Sequence, residues 1–109
     1  MAAIANAGHL SPYRDGEELP VDPGLPLGIV EDASWPESVH SFGESERLTF
    51  VSDGVVEARS SSGELYGFER TRAISMRAAE EIASEARAFG QEDDITVLTV
   101  GLAPVPALR

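Results

Sequence analysis

Short apolar runs broken by turn residues punctuate this chain, and one of them organises the rest. Leu48–Val51 is β-branched and aromatic, stops at Ser52-Asp53-Gly54 and resumes as Val55-Val56, so it reads as a buried strand ending in a turn. Upstream, Ala2–Ala5 reads as a short strand. Leu10–Tyr13 and Glu18–Val21 read as hairpin arms joined through Asp15-Gly16, a pair whose glycine accepts positive φ. Asp22–Gly28 is rich in Pro and Gly and reads as loop, Ile29-Val30 as the start of another short strand, and Ser38–Phe42 as weak alternation. Trp35, next to Pro36, reads as a loop anchor.

Downstream, Ser60–Gly63 is loop, and the aromatics of Glu64–Arg70 are expected to pack back on the domain edge. The spacing of Ala78, Ala79, Ile82, Ala83 and Ala86 predicts one main helix over Met76–Phe89, with Ser75 as N-cap and Gly90 just past its end. Ile95–Val100 is largely apolar on both faces, which predicts a central strand. The expected class is α+β with predominantly antiparallel sheet. Residues 1–101 read as one unit and residues 102–109, with two prolines, as a flexible tail.

Composition narrows the function classes. Eight Lys+Arg against 19 Asp+Glu give a net charge of −11, which argues against a nucleic-acid footprint and favours cationic partners, metal ions included. All eight cations are arginines, so a catalytic lysine and a phosphate-binding P-loop are both excluded. With no cysteine there is no disulfide and no zinc–thiolate site. Met1–Ala7 has no basic segment that would make it a signal peptide, and no apolar run approaches the ~20 residues of a membrane span. A soluble cytoplasmic protein without a membrane partner is expected.

Two acidic clusters stand at strand ends, Asp53 where one strand stops and Asp93-Asp94 where another begins. Each alone is an ordinary solvated turn. If the two strands are antiparallel neighbours, both clusters fall at one edge of the sheet, where several carboxylates repel unless a cation sits between them. Oxygen donors without sulfur select Mg²⁺ or Mn²⁺.

Five segments, in order, carry a resemblance: Asn6-Ala7-Gly8-His9 with Pro12, Leu25-Pro26-Leu27-Gly28, Leu48–Arg59, Gly63–Arg70, and Asp93-Asp94-Ile95-Thr96-Val97. Together they resemble the C-terminal half of the SpoIIE-like metal-dependent protein serine/threonine phosphatases, within the PPM superfamily. The resemblance implies part of a four-layer α-β-β-α sandwich with two Mn²⁺ or Mg²⁺ ions in its cleft. It also implies a metal-activated water that attacks phosphoserine or phosphothreonine on a signalling protein, such as an anti-sigma-factor antagonist. It makes Asp53 and Asp93 metal ligands, with Gly54, Asp94, His9 and Asn6 as surrounding residues and no catalytic side chain beyond the bound water. His9 lies where the wider superfamily often has an aspartate near the metals; a buried histidine capping a turn is the alternative.

The N-terminal half of the family's domain supplies the bridging aspartate and a further Asp-Gly. This chain is therefore expected to carry half a site, two protein carboxylates against the ~6 ligands such ions take, and to be inactive alone. The competing expectation is a catalytically inactive interaction or dimerisation module derived from a truncated phosphatase, one that binds a regulator or, through exposed sheet edges, its own copy.

Overall fold

The computed structural model describes residues 1–102. Six strands and three helices run in the order β1 (Ala2–Ala5), β2 (Tyr13–Arg14), β3 (Glu17–Glu18), β4 (Glu37–His40), β5 (Arg47–Val51), α1 (Asp53–Val56), α2 (Gly67–Ile74), α3 (Ala79–Gly90) and β6 (Val97–Gly101). Strand β1 pairs with β4, Ala2 opposite His40. The other sheet has the order β3-β2-β5-β6, and every pairing is antiparallel. This is the α+β, antiparallel architecture that the sequence predicts.

The Asp15-Gly16 turn forms where expected, with φ of 50° at Asp15 and 86° at Gly16, the backbone twist that suits a two-residue hairpin. Its paired arms are shorter than the sequence suggests, only Tyr13-Arg14 against Glu17-Glu18. Leu19 and Val21 lie beyond the pairing, both buried. Ile29-Val30 forms no strand and stays exposed in a loop. Trp35 anchors that loop by donating its indole N–H to the Leu25 carbonyl at 2.6 Å.

Strand β5 is buried on both faces, with Leu48, Thr49 and Val51 all enclosed. Its Val51 joins Tyr13 and the helical residues Val55, Ile74, Ile82 and Ala86 in one core, with Val97 of β6 packed against it. Phe50 and Leu98 lie on the opposite side and line a separate apolar cleft with Ile4 and Leu10. Strand β6 pairs with β5 alone among the described residues. It is thus an edge strand rather than the central strand its composition predicts, and Leu98 is 56% exposed.

The helices depart most from expectation. Residues 67–74 form a helix of their own, burying Thr71 and Ile74 one turn apart. The Ser75 hydroxyl donates back to the Arg72 carbonyl at 2.7 Å and the residue closes α2, so it does not cap α3. Helix α3 starts at Ala79 after an extended Ala78, and Gly90 is its last residue. Glu80 and Glu81 in the first turn and Arg87 in the last complement its dipole. Of the aromatics of Glu64–Arg70, Tyr66 does pack inward, edge to face with Phe89 at 5.2 Å, while Phe68 is 61% exposed. The expected tail at 103–109 lies outside the described residues.

Candidate functional site

The register of β5 and β6 decides where the carboxylates meet. Val51 sits opposite Val97, so the chain leaving β5 at Ser52-Asp53 and the chain entering β6 from Asp93-Asp94 lie side by side. A cleft of about 260 Å³ opens at this edge, walled by Gly8-His9, Ser52–Gly54, and Asp93, Asp94 and Thr96. The structure therefore brings together Asp53, Gly54, Asp93, Asp94 and His9. Asn6 stands apart, lining the apolar cleft instead. Apart from His9, which both clefts share, the apolar cleft has no titratable wall residue, so the acid-lined cleft is where ionic chemistry can occur.

Each wall has a local cause. Asp53 opens α1, a single turn in which Glu57 N–H reaches the Asp53 carbonyl at 2.8 Å. Gly54 is buried against the facing turn, with no room for a side chain beside the Asp94 carbonyl oxygen. Asp93 folds its turn onto itself, one carboxylate oxygen accepting the Asp94 N–H at 2.7 Å. Its carbonyl accepts from the Gln91 amide at 3.2 Å. The Asn6–His9 turn is clamped twice by Asn6, which donates to the His9 carbonyl at 2.8 Å and accepts the His9 N–H at 2.7 Å. Asn6, buried, is the turn-capping residue. His9 is exposed, with Nδ1 2.9 Å from the Leu10 carbonyl.

Asp53, Asp93 and Asp94 are all exposed, and none has an arginine partner among the described residues. Three carboxylates on one cleft raise its negative potential and attract a cation. Their oxygens are the donors a hard divalent ion takes. They supply one side of such a site only, for no group of three or more Asp, Glu, His or Cys among the described residues converges on a single ion position.

Ser52 and Glu57 belong to this region though the sequence assigns neither a place in the site. Ser52 walls the acidic cleft. Glu57 and Arg59 line a neighbouring cleft of about 400 Å³ that shares Gly54 and Asp93 with it. A serine before Asp-Gly has no periodic signature, and Glu57, an exposed residue just past α1, stands out only because the two clefts adjoin.

No curated protein matches the chain. Among solved structures, the crystal structure of the RsbU and RsbW domains of Rv1364c from Mycobacterium tuberculosis matches with a TM-score of 0.63 at 24% identity. The match covers 95% of this chain and 33% of that one, so the chain spans about a third of the solved chain and shares its fold over that stretch. The profile of Stage II sporulation protein E (SpoIIE) matches residues 1–103, and with that match over nearly its whole length the chain belongs to the SpoIIE family.

Proposed function

We propose that this chain forms one wall of the active site of a metal-dependent protein serine/threonine phosphatase of the PPM type, with Asp53 and Asp93 as its metal-holding carboxylates. The observation that carries the reading is the meeting of these two aspartates at one edge of the antiparallel β5–β6 pair. In this reading the chain is part of the four-layer sandwich of that superfamily. Mn²⁺ or Mg²⁺ would lie against Asp53 and Asp93, and when bound would activate water for attack on a phosphoryl group. The protein's part is to hold the carboxylates rigidly on a strand end and a braced turn, with Asp94 and His9 beside them. In this reading a phosphorylated signalling protein, such as an anti-sigma-factor antagonist, is the substrate class, in a sigma-factor pathway of the cytoplasm.

Two carboxylates are few for a divalent site, so the isolated chain should bind Mn²⁺ weakly and turn over p-nitrophenyl phosphate slowly or not at all. Titration with Mn²⁺ tests the reading: binding by the chain, lost in Asp53→Ala and in Asp93→Ala, supports it. Binding unaffected by either substitution rejects it. Robust Mn²⁺-dependent turnover abolished by Asp53→Ala would show that this wall alone suffices.

One observation favours a second reading, an interaction module that acts by association. Strand β6 is an edge among the described residues, and its Leu98 is open to solvent, the kind of edge that pairs with another chain. Sedimentation across a concentration range tests the second reading, because a monomer at all concentrations counts against it.

A further inference from the structure

We infer that Ser52 is a positioning residue, whose hydroxyl sets the distance between the two aspartate turns. The inference rests on the metal reading of Asp53 and Asp93 and adds a residue that reading does not include.

Ser52 is the N-cap of α1, yet its side chain makes no capping bond. A serine there ordinarily turns its oxygen to the second or third helical N–H. Here the hydroxyl accepts the Thr96 N–H at 2.9 Å and reaches toward the Asp94 carbonyl at 3.4 Å. The backbone explains the diversion. Ser52 N–H donates to the Thr96 carbonyl at 2.9 Å, continuing the β5–β6 ladder by one residue. The next bond of that ladder would need the Ser52 carbonyl, but this oxygen already accepts the Val55 N–H at 3.1 Å as α1 begins. The side-chain oxygen stands in for it. The chain can then turn at Asp53 while the strand entering from Asp94 stays fastened to it.

The consequence concerns geometry between two ligands. Asp53 follows Ser52 directly, and Asp93 and Asp94 precede Thr96 by three and two residues, so the hydroxyl bridges the two arms of the site at their roots. Alanine at position 52 leaves the Thr96 N–H without its partner and frees the Asp93-Asp94 turn to shift. Groups that orient metal ligands from behind typically change metal affinity by about 10–100-fold when removed. Threonine keeps a hydroxyl on Cβ and suits the extended backbone at this position, φ −78° and ψ 165°.

The test is Mn²⁺ titration of the full chain, read by water-proton relaxation, for wild type, Ser52→Ala, Ser52→Thr and Ile82→Val. Ile82 lies fully buried in the core among residues outside the acidic cleft, so its substitution lowers stability without touching the turns. The expected result is an affinity at least about tenfold weaker in Ser52→Ala, restored by Ser52→Thr and unchanged in Ile82→Val. Wild-type affinity in Ser52→Ala overturns the positioning role while leaving the metal reading intact. Equal losses in Ser52→Ala and Ile82→Val overturn it as well, since stability would then account for both. Absence of Mn²⁺ binding in all four proteins overturns the metal reading itself, and the role of Ser52 with it.

Discussion

Gly54 and Asp94 meet backbone to backbone. A β-carbon built on Gly54 would overlap the Asp94 carbonyl oxygen and lie 3.3 Å from that of Asp93. The two acidic turns can therefore approach only because residue 54 has no side chain. This contact joins what the pairing of β5 with β6 begins, and it places the backbone of one aspartate turn on the other.

Gly54→Ala tests that contact with an unusual sign. Glycine inside a helix is ordinarily worse than alanine by about 0.5–1 kcal/mol, and Gly54 lies within α1. Propensity alone would make the substitution stabilising. Overlap with a backbone carbonyl cannot be relieved by a rotamer change, so the expectation is a loss of about 1–3 kcal/mol in chemical denaturation. Mn²⁺ affinity should fall too. A variant as stable as wild type would show that the turns have room to part.

Metal binding should appear as stabilisation of the folded chain. A ligand that binds only the native state raises stability by RT ln(1 + [L]/Kd), about 2.7 kcal/mol at a hundredfold excess over Kd. Thermal melting of the wild type should rise with added Mn²⁺ and return to its starting value with a chelator. Asp53→Asn keeps the size of the side chain and removes one of three neighbouring charges. Without metal its melting temperature should equal or slightly exceed that of wild type, and with Mn²⁺ it should not rise. A rise equal to that of wild type would place the ion elsewhere.

The legible parts of this fold were those where one physical signal dominated. Leu48–Val51 is apolar but for Thr49 and stops at Ser52-Asp53-Gly54, and β5 ends there. The convergence of Asp53 with Asp93 followed from one assumption, antiparallel neighbours, which the register bears out. Helix α2 was hidden because only Thr71 and Ile74 are buried on it, too few apolar positions for a helical period, and threonine reads as polar. The start of α3 was misplaced for a related reason. Ser75 looks like a cap in sequence, but its hydroxyl is spent on the preceding helix.

Strand β6 shows the limit of reading burial from composition. Leu98 and Val100 are apolar and exposed, so apolarity on both faces did not mean neighbours on both sides. Ser52 shows another limit, since the partner of its hydroxyl, the Thr96 N–H, lies 44 residues later in the chain.

Alkaline conditions should weaken the fold through two tyrosines. Burial, then the Glu18 carboxylate, pushes the Tyr13 phenol above its ordinary 10.0, against a smaller opposing pull from Arg72. Tyr66 is raised likewise, by burial and then Glu85, against Arg77 and Arg70. A raised native pKa means that the stabilising contribution is complete below 10.0 and is lost as pH climbs through the native value. Melting temperature should thus decline above pH 10, and the decline should be shallower in Tyr13→Phe. An ultraviolet titration in which both phenols ionise at the free value would contradict this.

The β5–β6 pair holds one further contrast, between two threonines directly opposite each other. The Thr49 hydroxyl donates to the Ser75 carbonyl at 3.0 Å and ties the sheet to the end of α2. The Thr99 hydroxyl oxygen is buried and has no hydrogen-bond partner among the described residues. An unpaired buried hydroxyl costs about 1–3 kcal/mol, whereas a satisfied one contributes about 0.5–1.5. Valine at each position removes the hydroxyl with little change in shape and keeps a β-branched side chain. Thr99→Val should therefore raise unfolding free energy by about 1 kcal/mol. Thr49→Val should lower it by a similar amount, because the Ser75 carbonyl loses its donor. Chemical denaturation of the two single variants decides the matter: opposite signs support the pairing described, and a loss in Thr99→Val would mean that its hydroxyl is hydrogen-bonded after all.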